Sequence, residues 1–355
     1  MKILLGSGTP EQLGRGIYGA FKESGWEVFH IDTSPESPYY KTFIKPIRKV
    51  INALRIQRSP STFETWSISN INWRSNRWLQ AIKEIQPDVV LHVWGHRISE
   101  PVMIEACKIA PHICWMIEAK DRLSTPMDYC VKGYYKHLIV YAQNYLKIIE
   151  KRGVSAHYLP HFSPFSTLNL TNGDRTRKYD WVFLGSHSPW REKCLLEVMS
   201  VFPNGFILGP RWKHALRKSK TCKGKIIDGY LGGAESLRYY QDSFVGLDIP
   251  SKRDWTENGV TMRIPELIAS GVHVLTQENP EIRILPYFHE KCFTIFKDFD
   301  DLISSMGTAL KTSREMNNEE RMLFAKSATG YQSLIGLVAQ IANKGESPSK
   351  IIEFL

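Results

Sequence analysis

Thr256-Glu257-Asn258-Gly259-Val260-Thr261-Met262-Arg263-Ile264-Pro265-Glu266-Leu267-Ile268-Ala269-Ser270-Gly271-Val272-His273-Val274-Leu275-Thr276 sets a glycine turn, a hydroxyl, a guanidinium and a carboxylate at the start of one short helix, with a strand directly behind it. Gly259 permits the tight turn, and the first N–H groups of a helix have no partner within it, so they favour an anion. Thr261 adds a hydroxyl, and Arg263 a fork that matches a phosphate. Glu266, about one turn further in, is a strong acceptor for sugar hydroxyls. Gly271 closes the helix before the strand Val272–Thr276. A diphosphate and a ribose lying side by side suit this arrangement. A solvated arginine and glutamate on an ordinary turn, helix and strand is the plainer alternative.

Outward from this segment, strands and helices alternate. Lys2–Gly6, Trp26–Ile31, Val89–Val93, His112–Met116, His137–Tyr141 and Ala156–Leu159 read as strands, with helices Glu11–Ser24, Asn76–Ile85, Glu100–Ile109, Met127–Tyr134 and Gln143–Arg152 between them. Residues 35–69 read as a less regular basic and aromatic stretch. A proline break at Leu159-Pro160-His161-Phe162-Ser163-Pro164 and a polar run, Leu168–Lys178, precede a second series. Its strands are Trp181–Gly185, Gly205–Leu208, Lys225–Ile227, Phe244–Asp248, Val272–Thr276 and Phe293–Phe296. Repeated strand and helix alternation predicts parallel sheets covered on both faces. The expected domains are 1–165, 175–335 and a terminal helix and tail, 336–355, packing back on the first. The fold class is α/β, with a ligand cleft expected between two domains.

Arg263, Glu266, Ala269 and Gly271 reproduce an R-x-x-E-x-x-A-x-G pattern. The segment thereby resembles the nucleotide-sugar site of GT-B glycosyltransferases, especially their CgeB-like branch. Asp180–Ser186 followed by Trp190-Arg191, then Ile207–Pro210 and Ile226–Tyr230, are similar to successive strand and loop units of the GT-B donor domain. Pro87–Leu91 and Tyr158–His161 have family-like placement in the first half. The resemblance implies two Rossmann-like domains and transfer of a sugar from a nucleotide-diphosphate donor to a glycan, lipid-linked or other acceptor, in surface-polysaccharide or lipopolysaccharide assembly. Retaining members of the wider group carry two glutamates seven residues apart. Here the second is Glu266, while Asn258 stands at the first position with Glu257 beside it.

The 355 residues carry a net charge of +10, which favours acidic partners: nucleotide diphosphates, nucleic acid or an anionic membrane surface. Basic residues concentrate at Lys41–Arg58 and Arg211–Lys225, read as solvated faces or as anion contacts. Six cysteines, at 107, 114, 130, 194, 222 and 292, show no C-x-x-C pair and read as reduced thiols of a cytoplasmic protein. No apolar run approaches the ~20 residues that span a bilayer. Peripheral contact at the inner face of an anionic membrane stays open, and no specific nucleic-acid partner is expected.

Glycosyl transfer must stabilise a departing nucleoside diphosphate, by a metal ion or by fixed cations and helix dipoles. No D-x-D motif ends a strand, so no metal and no cofactor are expected, as the GT-B resemblance also implies. The donor-side candidates are Gly185, Ser186, Arg191, Tyr230, Asn258, Gly259, Thr261, Arg263 and Glu266, with Lys193 a weaker option. Ser7 and Gly8, in the loop after the first strand, are acceptor-side candidates. That loop lacks G-x-G-x-x-G, which speaks against a dehydrogenase. Catalytic-base candidates are His96 and Glu118, each following a strand, with Asp121 close by. His161 reads as hinge structure or donor contact. A nucleotide-sugar epimerase and a non-catalytic polyanion- or glycan-binding protein remain the alternatives.

Overall fold

The computed structural model describes residues 1–7, 11–33, 35–47, 50, 60–94, 97–118, 120–163, 177–212, 225–229, 233–252 and 259–344. Two compact units divide them. Unit 1 comprises Met1–Val140, Tyr145–Tyr158 and the helix Gln332–Lys344; unit 2 comprises Tyr141–Asn144 and Leu159–Tyr331. The chain therefore leaves unit 1 after Tyr158 and returns to it at Gln332.

Unit 1 is built on a parallel sheet ordered β2-β1-β3-β4-β5-β6, from strands β1 (Lys2–Ser7), β2 (Glu27–Asp32), β3 (Val89–Trp94), β4 (His112–Met116), β5 (His137–Val140) and β6 (Ala156–Tyr158). Every residue of β4 and β5 is buried. Near-continuous burial is what a parallel strand with both faces covered demands of its sequence. Helices α1 (Glu11–Glu23), α2 (Pro60–Ile85), α3 (Glu100–Ala106), α4 (Ser124–Val131) and α5 (Asn144–Glu150) connect the strands. The helix Gln332–Lys344, α11 in chain order, lies against α1. The stretch 35–69 is more helical than its composition suggested, because α2 starts at Pro60. Proline suits the first helical position, where no N–H is needed.

Unit 2 repeats the plan in the order β12-β11-β10-β7-β8-β9, again all parallel. Its strands are β7 (Tyr179–Leu184), β8 (Gly205–Gly209), β9 (Lys225–Asp228), β10 (Ser243–Asp248), β11 (His273–Gln277) and β12 (Phe293–Phe296). Its helices are α6 (Pro189–Val201), α7 (Gly233–Gln241), α8 (Arg263–Ala269), α9 (Leu302–Glu315) and α10 (Asn318–Ser327). Trp181, Phe183, Leu195, Val198, Leu247, Leu275, Phe296 and Met306 form its core. Asn317 and Glu320 close a reciprocal capping box at the start of α10.

Each sheet contains a strand glycine covered by an indole. In unit 1, a Cβ on Gly6 of β1 would stand 1.7 Å from the Trp78 ring of α2; in unit 2, one on Gly205 of β8 would stand 1.9 Å from the Trp181 ring of β7. Trp181 is fixed there by its Nε1–H, which donates to the Phe202 carbonyl at 2.8 Å. Both tryptophans are fully buried, so neither ring can yield to a methyl group without repacking the core. Gly6→Ala and Gly205→Ala are each expected to destabilise by ~1–3 kcal/mol, as overpacked cores do. Gly307→Ala on α9, where an added Cβ meets nothing within 4 Å, should be neutral or stabilising. Urea midpoints for the three variants test the contrast, and equal midpoints would refute it.

Candidate functional site

In unit 2 the strand order reverses between β7 and β10. Such a switch point, at the carboxyl ends of the strands, is where open α/β sheets accept ligands. Two arginines stand there, each delivered by the first turn of a helix. Ser188 caps α6 by accepting the Arg191 backbone N–H at 3.3 Å, with Pro189 at the first helical position. The Arg191 Nε donates to the Ile249 carbonyl at 2.8 Å, and its Nη1 to the carbonyl and hydroxyl of Ser186 at 2.9 and 3.2 Å. Arg263 opens α8; its Nε donates to the Leu184 carbonyl and its Nη1 to Asp248 Oδ1, both at 2.7 Å. Both guanidiniums lie over the Phe183 ring, at 5.4 and 5.0 Å from its centroid.

One carboxylate, paired with Arg263, lies within the field of both guanidiniums. Asp248, buried at the end of β10, also accepts the hydroxyls of Thr261 at 2.8 Å and Thr276 at 3.2 Å. Two cations against one anion leave a local positive excess. Burial and then the neighbouring Arg263 charge push the Arg191 pKa down to about 9, so it stays protonated at neutral pH. Among the described residues, neither arginine uses its Nη2 in a hydrogen bond to the protein. A Cβ on Gly185 would stand 2.7 Å from the Arg263 Nη2, so the strand end must be glycine for the fork to lie there.

Beside the ion pair is a shallow recess lined by Asp248, Gly259, Thr261, Thr276, Gln277 and Asn279 among others. Gly259 is in the left-handed region at φ +73°, and a Cβ there would meet that of Ala142 at 2.5 Å. Its carbonyl accepts the Asn279 side-chain amide at 3.1 Å. Gly271, at φ +69°, ends α8, its N–H donating to the Ile268 carbonyl at 2.9 Å.

Glu266 lies on α8, near Arg263. It is partly exposed, yet burial among surrounding atoms raises its pKa to about 7, against the opposing pull of Arg263. Among the described residues, no protein group hydrogen-bonds to its carboxylate. Tyr240 and Tyr331 sit near enough that its charge contributes to raising their phenol pKa values, after burial. A carboxylate acceptor thus stands on the same helix as the Arg263 guanidinium.

The expected donor residues Gly185, Ser186, Arg191, Gly259, Thr261, Arg263 and Glu266 thus gather at one sheet edge. Thr261 and Arg263, expected on a phosphate, spend bonds on Asp248. Tyr230, Asn258, Gly8 and His96 lie outside the described residues. Ser7 and Glu118 belong to unit 1. The Ser7 hydroxyl is buried at 3.1 Å from the His30 Nε2, and Glu118 is surface-paired with Arg122 at 3.3 Å. The His161 ring stacks on Tyr141 with centroids 4.4 Å apart, and burial pushes its pKa down to about 3. Lys193 lies over the Phe299 ring at 4.0 Å. Sequence reasoning missed Asp248 and Thr276. Both stand at or near strand ends, and that position was the available signal. Among the described residues, no group of three His, Cys, Asp or Glu is placed to hold a metal ion.

No protein-family model matches the chain, and no curated protein does. Solved structures do. An α-glucosyltransferase in complex with UDP and a 13-mer DNA superposes with a TM-score of 0.62 at 12% identity, over 97% of this chain and 99% of its own. α,α-Trehalose 6-phosphate synthase from Burkholderia multivorans gives 0.57 at 12% identity, over 98% and 99%. A UDP-N-acetylglucosamine 2-epimerase gives 0.51 at 11%, over 98% of each chain. At such identities the likeness concerns architecture, and with the two parallel sheets it establishes a GT-B fold of two Rossmann-like domains.

The Glu266 environment has a testable sign. In an unfolded chain this carboxyl loses its proton near 4.5, whereas the folded chain holds it to about 7. The folded state thus binds more protons across that window, and its stability falls as pH rises from 4.5 through 7. Glu266→Gln, which cannot ionise, should melt progressively higher than the wild type between pH 5 and pH 8. A melting-temperature difference that stays constant with pH would remove the assignment.

Proposed function

We propose that the chain is a glycosyltransferase that binds a nucleotide-diphosphate sugar at the β7–β10 edge of unit 2. One observation carries the reading: Arg263 is paired with a buried carboxylate, Arg191 beside it is held by the Ile249 carbonyl and Ser186, each guanidinium keeps an unused donor, and Glu266 has no hydrogen-bond partner among the described residues. The diphosphate takes the free Nη2 groups of Arg191 and Arg263, and Glu266 accepts ribose hydroxyls in its ionised form. Gly185, Ser186, Gly259 and Thr261 shape the backbone around it, and Asn258 and Tyr230 are proposed on the same side. Likeness to an α-glucosyltransferase solved with UDP supports the donor class.

In the proposed reaction the bond between the sugar anomeric carbon and the diphosphate oxygen breaks, its electron pair leaving with the diphosphate. An acceptor hydroxyl forms the new bond and gives up its proton. The fixed positive charge of the arginines compensates the leaving group, and preorganised charge of this kind lowers a barrier more than most other catalytic effects do. We read the transfer as metal-independent on that basis, with Glu118 and His96 as base candidates and the Ser7–Gly8 loop on the acceptor side. Surface-polysaccharide or lipopolysaccharide assembly is the setting that the basic charge and the sequence resemblance support. A non-catalytic binding protein would share the donor contacts and fail only in turnover.

Thermal shift with UDP-, GDP-, dTDP-, ADP- and CMP-linked sugars tests the donor site. A ligand at ~100 times its Kd stabilises the folded state by ~2.7 kcal/mol, which is readily seen as a rise in melting temperature. One nucleotide class is expected to produce it, and Glu266→Gln and Arg191→Lys to weaken affinity by ~10-fold or more, the scale of a hydrogen bond to a charged group. No response to any member of the panel would overturn the reading. Nucleoside diphosphate release should survive a chelator; loss of turnover, restored by magnesium or manganese, would instead assign a metal role.

A further inference from the structure

A π-helical turn, Tyr40–Ile44, sits in unit 1 inside a helical stretch over 38–47. Its inward residues, Tyr40 and Ile44, are buried. Its outward residues are apolar as well: Tyr39, Phe43, Ile47 and, further on, Val50 are each between 48 and 57% exposed. The Tyr39 and Phe43 rings lie with centroids 5.5 Å apart and form an apolar ridge, with Ile47 exposed one turn further along the same helical stretch. Outward helix positions in a protein that meets only water carry polar side chains, and contiguous exposed apolar surface marks an interaction site.

The ridge is held rigidly. The Ser37 hydroxyl accepts the Tyr40 backbone N–H at 3.1 Å, and the Ser37 N–H donates to Asn70 of α2 at 2.7 Å. Its charge setting is one-sided. Lys41 and Lys45 stand exposed beside it, and the sequence 41–58 adds Arg48, Lys49, Arg55 and Arg58 with no Asp or Glu. The acid met here is Glu36, which pairs with Lys45 at 2.7 Å.

We propose that this ridge docks the chain onto a bilayer rich in anionic phospholipid. Phe43, Ile47 and Val50 enter the boundary between headgroups and acyl chains, Tyr39 sits at headgroup level, and the lysines meet the lipid phosphates. Apolar burial plus attraction of cations to anionic lipid is the combination that holds interfacial helices. A nucleic acid would reward the cations and leave the exposed phenylalanine and isoleucine without a partner. Among the described residues no helix is long and apolar enough to cross a membrane, so the contact is peripheral to the bilayer. This inference rests on unit 1 alone and is independent of glycosyl transfer.

Co-sedimentation of the full chain with vesicles tests it. Vesicles of phosphatidylglycerol and phosphatidylcholine in equal parts should carry the chain down, and phosphatidylcholine alone should not. Phe43→Ser with Ile47→Ser should lower the partition coefficient at least ~10-fold, since apolar burial and ionic attraction act together at the surface. Both positions are exposed, so the melting temperature should not change. Lys41→Glu should weaken binding further in low salt than in high salt. A wild-type chain that stays in the supernatant overturns the proposal. So does a Phe43/Ile47 variant that partitions like the wild type, or a duplex DNA that binds as tightly as the vesicles and is equally insensitive to that variant.

Discussion

The buried pair between Arg263 and Asp248, 2.7 Å apart, organises the edge of unit 2. Through it the start of α8 is joined to the end of β10, and the same guanidinium reaches the end of β7 through the Leu184 carbonyl. Two charges taken out of water are stable only when their remaining hydrogen-bonding capacity is met. Asp248 achieves this with two threonine hydroxyls, Thr261 and Thr276, from either side of α8. Loss of Arg263 would leave the Asp248 charge uncompensated, and loss of a threonine hydroxyl would leave one of its lone pairs unsatisfied. The pair is therefore a frame that ties α8 to β10 and β7.

Both units bury polar side chains. In unit 1 His92 sits 2.6 Å from the Tyr135 hydroxyl, burial lowers the His112 pKa to about 4, and the Arg74 guanidinium of α2 is buried. Unit 2 buries Arg191 and Arg321. Besides the pair at the strand ends, Arg177 and Arg321 both donate to the Gly271 carbonyl that follows α8. Both ends of that seven-residue helix are thus tied by arginine, at Arg263 and behind Gly271. On the same helix, burial holds the proton of the Glu266 carboxyl to about 7, against the pull of Arg263.

An architecture shared at about 12% identity with both a glucosyltransferase and an epimerase cannot by itself name a reaction. What separates such proteins is the side chains standing at the switch point, and here those are Arg191, Arg263 and Asp248, with Gly185 at the end of β7. The same separation of scaffold and surface holds in unit 1. There Tyr39, Phe43 and Ile47 are exposed, while Tyr40 and Ile44 of the same helical stretch are buried.

Alternating strands and helices, the glycine at 259 and the Arg263 to Gly271 spacing were legible in the sequence, because each reflects local geometry: periodicity, a left-handed backbone, a helix of fixed rise. The long helix from Pro60 was less so, since apolar spacing there is weak and only its proline start advertises it. Asp248 was missed although it ends a strand, because that position alone does not distinguish an aspartate paired with a distant arginine from a solvated one. The sequence determined two parallel α/β units and the candidate residues that lie at one strand edge of the second. Only the tertiary structure decided that Arg263 is first bound to Asp248 and Leu184, and that Glu266 is left without a hydrogen bond from the described residues. Those outcomes depend on strands that are far apart in the chain and adjacent in the sheet, and burial there sets which hydrogen bonds must be made.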